Sequence, residues 1–190
     1  MTKLTRCFDA SGQIPAKAPE GCEAVLGYLG KTVDGRKLDY STHVWTLQEW
    51  QRFAHLHQFP CWPLNPSVDP DEQGDAAAEA AAALGWHHGR VIIGDEEANK
   101  DAARFAKWAA RVEKNNFRPG WYGSLAYAKD YDCEFKWLAL YDNVESIPAG
   151  YAAKQYQAGA KVPGGVVDFS VVSPALLVHA GVGTRRLLAA

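Results

Sequence analysis

The chain has 190 residues, 47% of them hydrophobic and 22% charged, with 20 Lys+Arg against 22 Asp+Glu for a formal net charge of -2. That balance excludes a disordered segment and a collagen-type fibre, and it offers no basic excess to hold a nucleic-acid backbone. The length suits one domain that buries about 70% of its unfolded surface without staples.

Cys7-Phe8-Asp9 closes a short apolar run and meets Ala10-Ser11-Gly12, as a strand does when it stops at a turn. Ala24 to Leu29 predicts a second strand, followed by a Gly/Asp/Lys-rich loop from Gly30 to Tyr40. Thr46 with Glu49 three residues on makes a capping box. Leu47, Trp50, Phe53, Ala54 and Leu56 then recur at helical spacing, predicting a helix from Leu47 to His57. Phe59 to Leu64 carries two prolines and is a weak strand by propensity, yet an alternating β/α order calls for one there. Asp71-Glu72-Gln73-Gly74 opens an alanine-rich helix over Ala76 to Leu84, which Gly85 ends. Arg90 to Gly94 is a β-branched strand stopping abruptly at Asp95-Glu96-Glu97, and Asn99 to Asn115 repeats Ala102, Phe105, Ala106, Ala109 and Val112 on one helix face. Arg118 to Tyr122, Phe135 to Tyr141, Ala152 to Tyr156 and Gly165 to Phe169 supply four more strands, with a short helix over Ser124 to Lys129.

Eight strands, with sizeable helices only in the first half, predict a single domain over residues 1–190. The fold class is α/β: a mainly parallel sheet closed into a TIM-type barrel that has shed some of its helices. Residues 170–190 read as a C-terminal extension, either packed on the barrel or serving as a docking segment.

In such a barrel the reactive groups sit where strands end, at the C-terminal face. Acids recur there. Asp9 ends the first strand, Asp95 and Glu97 the fourth, and Asp168 the eighth. Side chains alternate along a strand, so Asp95 and Glu97 share a side while Glu96 points away. Closure makes the first and last strands neighbours, bringing Asp9 to Asp168. Crowded carboxylates raise one another's pKa and leave one protonated beside ionised partners, as glycoside hydrolysis requires. Glu97, one methylene longer than Asp95, is the choice for that acid. No Asp-x-Asp-x-Asp loop marks a Mg2+ or Ca2+ site, and no cofactor is implied.

The other chemistry-bearing residues read more plainly. Cys7, Cys22, Cys61 and Cys133 are widely spaced with no Cys-x-x-Cys pair, which favours buried thiols over disulfides and metal or redox motifs. His43, His55, His57, His87 and His88 do not share a helix face and read as solvated or capping residues, not as metal ligands. Seven Trp and eight Tyr suit packing and sugar stacking alike.

From Phe8 to Ser170 the chain resembles the glycoside hydrolase family 25 lysozymes and the glycoside-hydrolase-like domains of actinobacteria and their phages. Phe8-Asp9-Ala10-Ser11 is similar to that family's first-strand Asp-x-Ser, and Asp95-Glu96-Glu97 to its Asp-x-Glu. Tyr122-Gly123-Ser124, Trp137 to Tyr141, Gln155-Tyr156, Val162-Pro163-Gly164 and Val167-Asp168-Phe169 follow in the family's order. The resemblance implies an incomplete (β/α)5β3 barrel that cleaves the β-1,4 bond between N-acetylmuramic acid and N-acetylglucosamine. It implies Glu97 as general acid/base, Asp95 supporting the N-acetyl group or the developing cation, and Asp9 and Asp168 shaping charge and position. Trp62, Tyr122, Tyr141, Gln155 and Tyr156 are the implied substrate contacts. Lys154 replaces the family's Trp before Gln-Tyr, Ser170 replaces Asn, Gly94 interrupts the run before Asp95, and Cys61-Trp62-Pro63 stands for Tyr-His-Phe.

Two functions from different classes follow. One is an active muramidase working on peptidoglycan glycan strands. The other is a non-catalytic wall-binding or structural barrel, such as a minor tail protein of an actinobacteriophage with virion proteins as partners. The opening residues contain no apolar signal segment, and the apolar tail from Val171 to Val182 is broken by Pro174 and Gly181. The expectation is a protein made in the cytoplasm, without a membrane partner, and released at lysis or built into a particle.

Overall fold

The structure is a computed structural model that describes residues 3–86, 88–97 and 100–182. Its strands are β1 (Thr5–Asp9), β2 (Ala24–Tyr28), β3 (Thr32–Val33), β4 (Arg36–Lys37), β5 (His57–Pro63), β6 (Val91–Asp95), β7 (Arg118–Ser124), β8 (Phe135–Ala139), β9 (Ala153–Val162), β10 (Gly165–Val172) and β11 (Gly181–Val182). The α-helices are α1 (Leu47–Arg52), α2 (Pro70–Ala83), α3 (Ala102–Lys114) and α4 (Pro174–Leu177). Strands β1, β2, β5, β6, β7, β8 and β9 run parallel in that order, and β10 closes the eight-stranded ring antiparallel to both β9 and β1. The predicted mainly parallel α/β barrel is the fold. The small β3–β4 hairpin lies apart, inside the predicted loop from Gly30 to Tyr40.

Local chemistry sets the helix ends. Thr46 and Glu49 form the predicted capping box on α1. Asp69 caps α2 with Pro70 in its first turn, and Asp101 caps α3. Gly85, with φ +80°, follows the end of α2 in the left-handed conformation that a helix stop favours. Helix α1 is shorter than predicted, because His57 already pairs with Ala24 in the sheet and the ladder overrides helix propensity. The helix expected over Ser124 to Lys129 is reduced to a 3-10 turn, Ala128–Asp130, since Ser124 belongs to β7 and too few residues remain to nucleate an α-helix. Both prolines of the weak third barrel strand are tolerated in β5. Pro60 falls between the residues paired with β11 (His57, Gln58) and those paired with β6 (from Cys61), and Pro63 is the last residue.

Alternation sorts the side chains into two cores. Cys7, Leu26, Phe59, Cys61, Ile93, Phe135 and Trp137 fill the barrel interior. Phe8, Val25, Trp62, Ile92, Trp108 and Trp121 belong to the outer layer, between sheet and covering elements. Gly94 faces that outer layer, where a Cβ would lie 2.7 Å from Trp108 Cζ3 and 3.1 Å from Phe105 Cε2. The glycine that breaks the apolar run is therefore the space into which α3 docks.

The C-terminal segment closes the bottom of the barrel. Leu176 and Ala180 join the interior core, β11 pairs with β5, and the Val91 N–H donates to the His179 carbonyl (3.0 Å). Residues 170–172 end β10, so the extension starts after them. The remainder of the predicted docking segment, 183–190, lies outside the described residues.

Candidate active site

At the opposite end of the ring, five strands turn a polar side chain inward where they reach the mouth, while β5 and β8 end on Pro63 and Ala139. Asp9 (β1), Tyr28 (β2), Asp95 (β6), Tyr122 (β7) and Gln155 (β9) all point into the mouth. Asp168 joins them by a different route from the one expected. Strand β10 runs antiparallel, so the early part of this strand, and not its end, reaches the C-terminal face. Asp9 and Asp168 are direct cross-strand partners. The β9–β10 ladder shifts register around Asp168, whose Oδ1 accepts the Gly159 backbone N–H (2.6 Å). The hairpin that returns the chain carries Pro163 followed by Gly164 at φ +89°, the pairing a type II turn requires.

Gln155 is the hub of the mouth. Its Nε2 donates to Asp168 Oδ2 (2.8 Å) and, more weakly, to Asp9 Oδ2 (3.5 Å). Its Oε1 accepts from the hydroxyls of Tyr122 and of Tyr141 (3.3 Å). The Tyr141 hydroxyl also lies 3.3 Å from Glu97 Oε1. One chain of hydrogen bonds thus runs from Glu97 on one rim to Asp9 and Asp168 on the other. Tyr28 steadies the far end by donating to Asp9 Oδ1 (3.2 Å).

Asp95 and Glu97 face the mouth together, and the Glu97 backbone N–H donates to Asp95 Oδ1 (2.9 Å). Glu96 points the other way, as alternation requires. It is buried, and its Oε2 accepts from the Asp101 N–H (3.1 Å) and the Tyr131 hydroxyl (3.2 Å). This middle acid ties β6 to the start of α3 and takes no part in the mouth.

Burial raises the carboxyl pKa values here. Asp9 is pushed well above the usual range by burial first and by Asp168 next, against the Tyr28 hydrogen bond. Asp95 is pushed up to about 7, by burial and then by the charges of Glu97 and Glu96, with the Glu97 N–H opposing. Glu97 is raised by burial of its carboxylate, with the Tyr141 and Tyr122 hydroxyls opposing. Because Asp95 titrates above its ordinary 3.8, the folded protein holds this proton more tightly than the unfolded chain does. The stability it contributes is complete below about pH 3.8 and is lost as pH rises through about 7. Thermal melts should therefore show the melting temperature falling from about pH 5 to 8. Asp95→Asn should flatten that slope and melt higher at the alkaline end; an unchanged slope would remove Asp95 as its source.

Two of the expected substrate contacts lie elsewhere. Trp62 has 0% exposure in the outer layer, and its indole N–H donates to Gln73 Oε1 (3.3 Å) on α2. Tyr156 alternates with Gln155 and so faces outward, its hydroxyl donating to Glu145 Oε1 (3.0 Å). Both are structural. All seven tryptophans are at most 5% exposed, so packing accounts for them. The aromatic surface at the mouth comes from tyrosines instead: Tyr40, Tyr127 and Tyr141 are 60%, 36% and 50% exposed. Of the site residues that sequence reasoning missed, Tyr28 was within reach. It ends β2 two residues after inward Leu26, the same signal that marked Asp9 and Asp95.

The departures from the family pattern are structural too. Lys154, 1% exposed on the outer side of β9, donates to both carboxylate oxygens of Asp142 (2.9 and 3.1 Å). Arg6 and Tyr156 both reach Glu145 on the same loop. Polar latches thus hold a loop where a fuller barrel carries a helix. Ser170 accepts the indole N–H of Trp137 (3.2 Å) inside the barrel. The four cysteines are free thiols, with Cys133 half-buried. His43 pairs with Glu49, His55 is exposed, and His88 lies beside Phe117, while His87 lies outside the described residues. Among the described residues no three His, Cys, Asp or Glu side chains are placed to hold a metal ion, and no helix is long and apolar enough to cross a membrane.

Two pockets open on the mouth, and a third lies beside it at the ends of β6 and β7, lined also by Glu96 and by Trp121 and Tyr131 of the outer layer. One of about 250 Å³ lies against Asp9 and Asp168, one of about 330 Å³ against Tyr40, Asp95 and Glu97, and one of about 310 Å³ against Glu97, Lys100 and Tyr127. Strands β6 and β10 stand four apart in the ring, so the Glu97 and Asp168 pockets lie across the axis from one another.

No protein-family model matches the chain, and no curated protein does. Among solved structures, it is similar to an uncharacterized B. stearothermophilus protein, with TM-score 0.73 at 16% identity over 93% of this chain and 100% of that one. It is also similar to the muramidase of Acremonium alcalophilum, with TM-score 0.55 at 15% identity over 91% and 96% of the two chains. The modular autolysin LytC of Streptococcus pneumoniae, solved with a synthetic peptidoglycan ligand, gives TM-score 0.56 at 17% identity over 88% of this chain and 46% of that chain. At such identities the likeness is one of fold alone: the barrel is shared with that muramidase and that autolysin.

Proposed function

We propose that this protein is a peptidoglycan N-acetylmuramidase in which Glu97 is the general acid/base. The observation that carries the reading is the single hydrogen-bond network joining Glu97, Tyr141, Gln155, Asp9 and Asp168 across an open barrel mouth. Glycoside cleavage needs a protonated acid at the leaving oxygen and negative charge near the anomeric carbon. Glu97, with its raised pKa and its place on the rim, supplies the proton. The bond from the anomeric carbon to the bridging oxygen breaks as Glu97 protonates that oxygen. Water then adds to the anomeric carbon and returns a proton to the Glu97 carboxylate. Asp95 supports the N-acetyl group or the cationic centre, while Asp9 and Asp168 tune charge from the far rim. Tyr122, Tyr141 and Gln155 orient the carboxylates and meet the sugar. The likeness of the barrel to a muramidase and to an autolysin solved with a peptidoglycan ligand supports this choice of substrate.

The test is release of reducing ends from purified peptidoglycan, including an actinobacterial wall. New reducing ends at muramic acid are the expected result. Binding to the wall without any such release would overturn the hydrolase in favour of a wall-binding module.

A further inference from the structure

Tyr141 lies in the loop from Leu140 to Ala152, between β8 and β9, yet its hydroxyl meets Glu97. Its place is fixed from β9. Two main-chain bonds flank it: the Leu140 N–H donates to the Gln155 carbonyl (3.0 Å), and the Asn143 N–H to the Tyr156 carbonyl (2.9 Å). Between those bonds, Tyr141 and Asp142 are each held by a side chain of β9, one on either face of the sheet. On the mouth side Gln155 Oε1 accepts from the Tyr141 hydroxyl (3.3 Å). On the outer side the buried Lys154 ammonium donates to both oxygens of Asp142 (2.9 and 3.1 Å). Asp142 Oδ1 also accepts the Val144 N–H (3.0 Å), where Asn143 turns the chain at φ +56°. The bond from Tyr141 to Gln155 is long, whereas the ion pair is short and shielded from water.

We propose that Lys154 and Asp142 are positioning residues for Glu97: their ion pair, on the outer side of the sheet, sets the Tyr141 hydroxyl on the Glu97 carboxylate in the mouth. The inference rests on the reading of Glu97 as the acid and adds how tightly that acid holds its proton. A hydroxyl that donates to a carboxylate favours the ionised form, and Tyr141 draws Glu97 down against burial, the largest influence on it. The other groups that face Glu97 are Tyr122, Asp95, Asp9, Asp168 and Lys100. Among the described residues none of these is hydrogen-bonded to Lys154 or Asp142. Breaking the pair therefore frees Tyr141 and leaves the rest of the mouth in place. The carboxyl, relieved of a donor to its ionised form, then keeps its proton to higher pH.

Carbon-13 NMR titration of the Glu97 carboxyl in the full-length protein, its signal identified by loss in Glu97→Gln, tests this without turnover. Lys154→Met should tighten proton binding at Glu97 about fivefold, the scale of one hydrogen bond to a charged group partly lost. Asp142 is 38% exposed and is left to water in this variant, so the fold should hold. Asp142→Asn should tighten proton binding in the same direction. Bare charge would move Glu97 oppositely in the two variants, since one removes a positive charge and the other a negative one. Tyr141→Phe should match Lys154→Met, and the double variant should go no further than Tyr141→Phe alone. Opposite shifts in Lys154→Met and Asp142→Asn, no shift in either, or full additivity with Tyr141→Phe would overturn the inference. The alkaline limb of the cleavage rate should move up with the Glu97 titration. A wild-type protein that releases no reducing ends, with the Glu97 shifts as expected, would sink the hydrolase and leave the positioning pair standing.

Discussion

Glu97→Gln lowers the rate of glycan cleavage by about a thousandfold, within the range a positioned general acid contributes, and leaves the fold intact. Gln keeps the side-chain length and an oxygen that accepts from the Tyr141 hydroxyl, the partner Glu97 has at 3.3 Å. It cannot hand a proton to the leaving oxygen. The substitution also removes a negative charge that raises the pKa of Asp9 and of Asp95, so the variant should melt at the same temperature or higher. Activity and calorimetry on the same preparation separate the two effects. In the wild type, cleavage should decline as pH climbs past the raised Glu97 pKa, because the acid form is the competent one. That limb should vanish from the residual activity of the variant. Retention of a tenth or more of the wild-type rate would take the acid role away from Glu97.

Trp62→Ala should damage the protein severely, and through stability alone. The ring is wholly buried between β5 and α2, and its N–H reaches Gln73 Oε1. Gln73, also 0% exposed, accepts the Asn65 N–H (2.7 Å) with the same oxygen and donates to the Val68 carbonyl (3.0 Å). Truncation opens a cavity and loosens this knot, at a cost of about 3–5 kcal/mol. For a domain of this size that lowers the melting temperature by roughly 10 °C. Urea unfolding measures the loss. Glycan affinity, titrated where the variant is still folded, should match the wild type. Intact stability with lost affinity would return Trp62 to the groove, where the sequence had placed it.

The contrast between Trp62 and Asp95 shows what kind of information each level carries. Helix ends were legible in the sequence because caps are local chemistry: Thr46 with Glu49, and Gly85 after α2, act within a few residues. The acids Asp9, Asp95 and Glu97 were legible because an apolar strand that stops at a carboxylate announces the barrel mouth. The two-residue period likewise separated Glu96 from its neighbours. That period says which side chains share a face and is silent on which face turns inward. Trp62 and Tyr156 are mouth residues by the family resemblance, and closure of the ring turns both outward. Asp168 was expected in the cluster, but the strand direction that brings it there is set by the β9–β10 hairpin and the pairing of β10 with β1. Gln155 becomes a hub only when Glu97 and Asp9, 88 positions apart in the numbering, are carried to opposite rims of one opening. Composition and periodicity by themselves determined the fold class and the acids at the strand ends. Tertiary structure alone decided which aromatics meet a ligand and how the carboxylates are wired, because both depend on ring closure and strand direction, which bring together residues far apart in the chain.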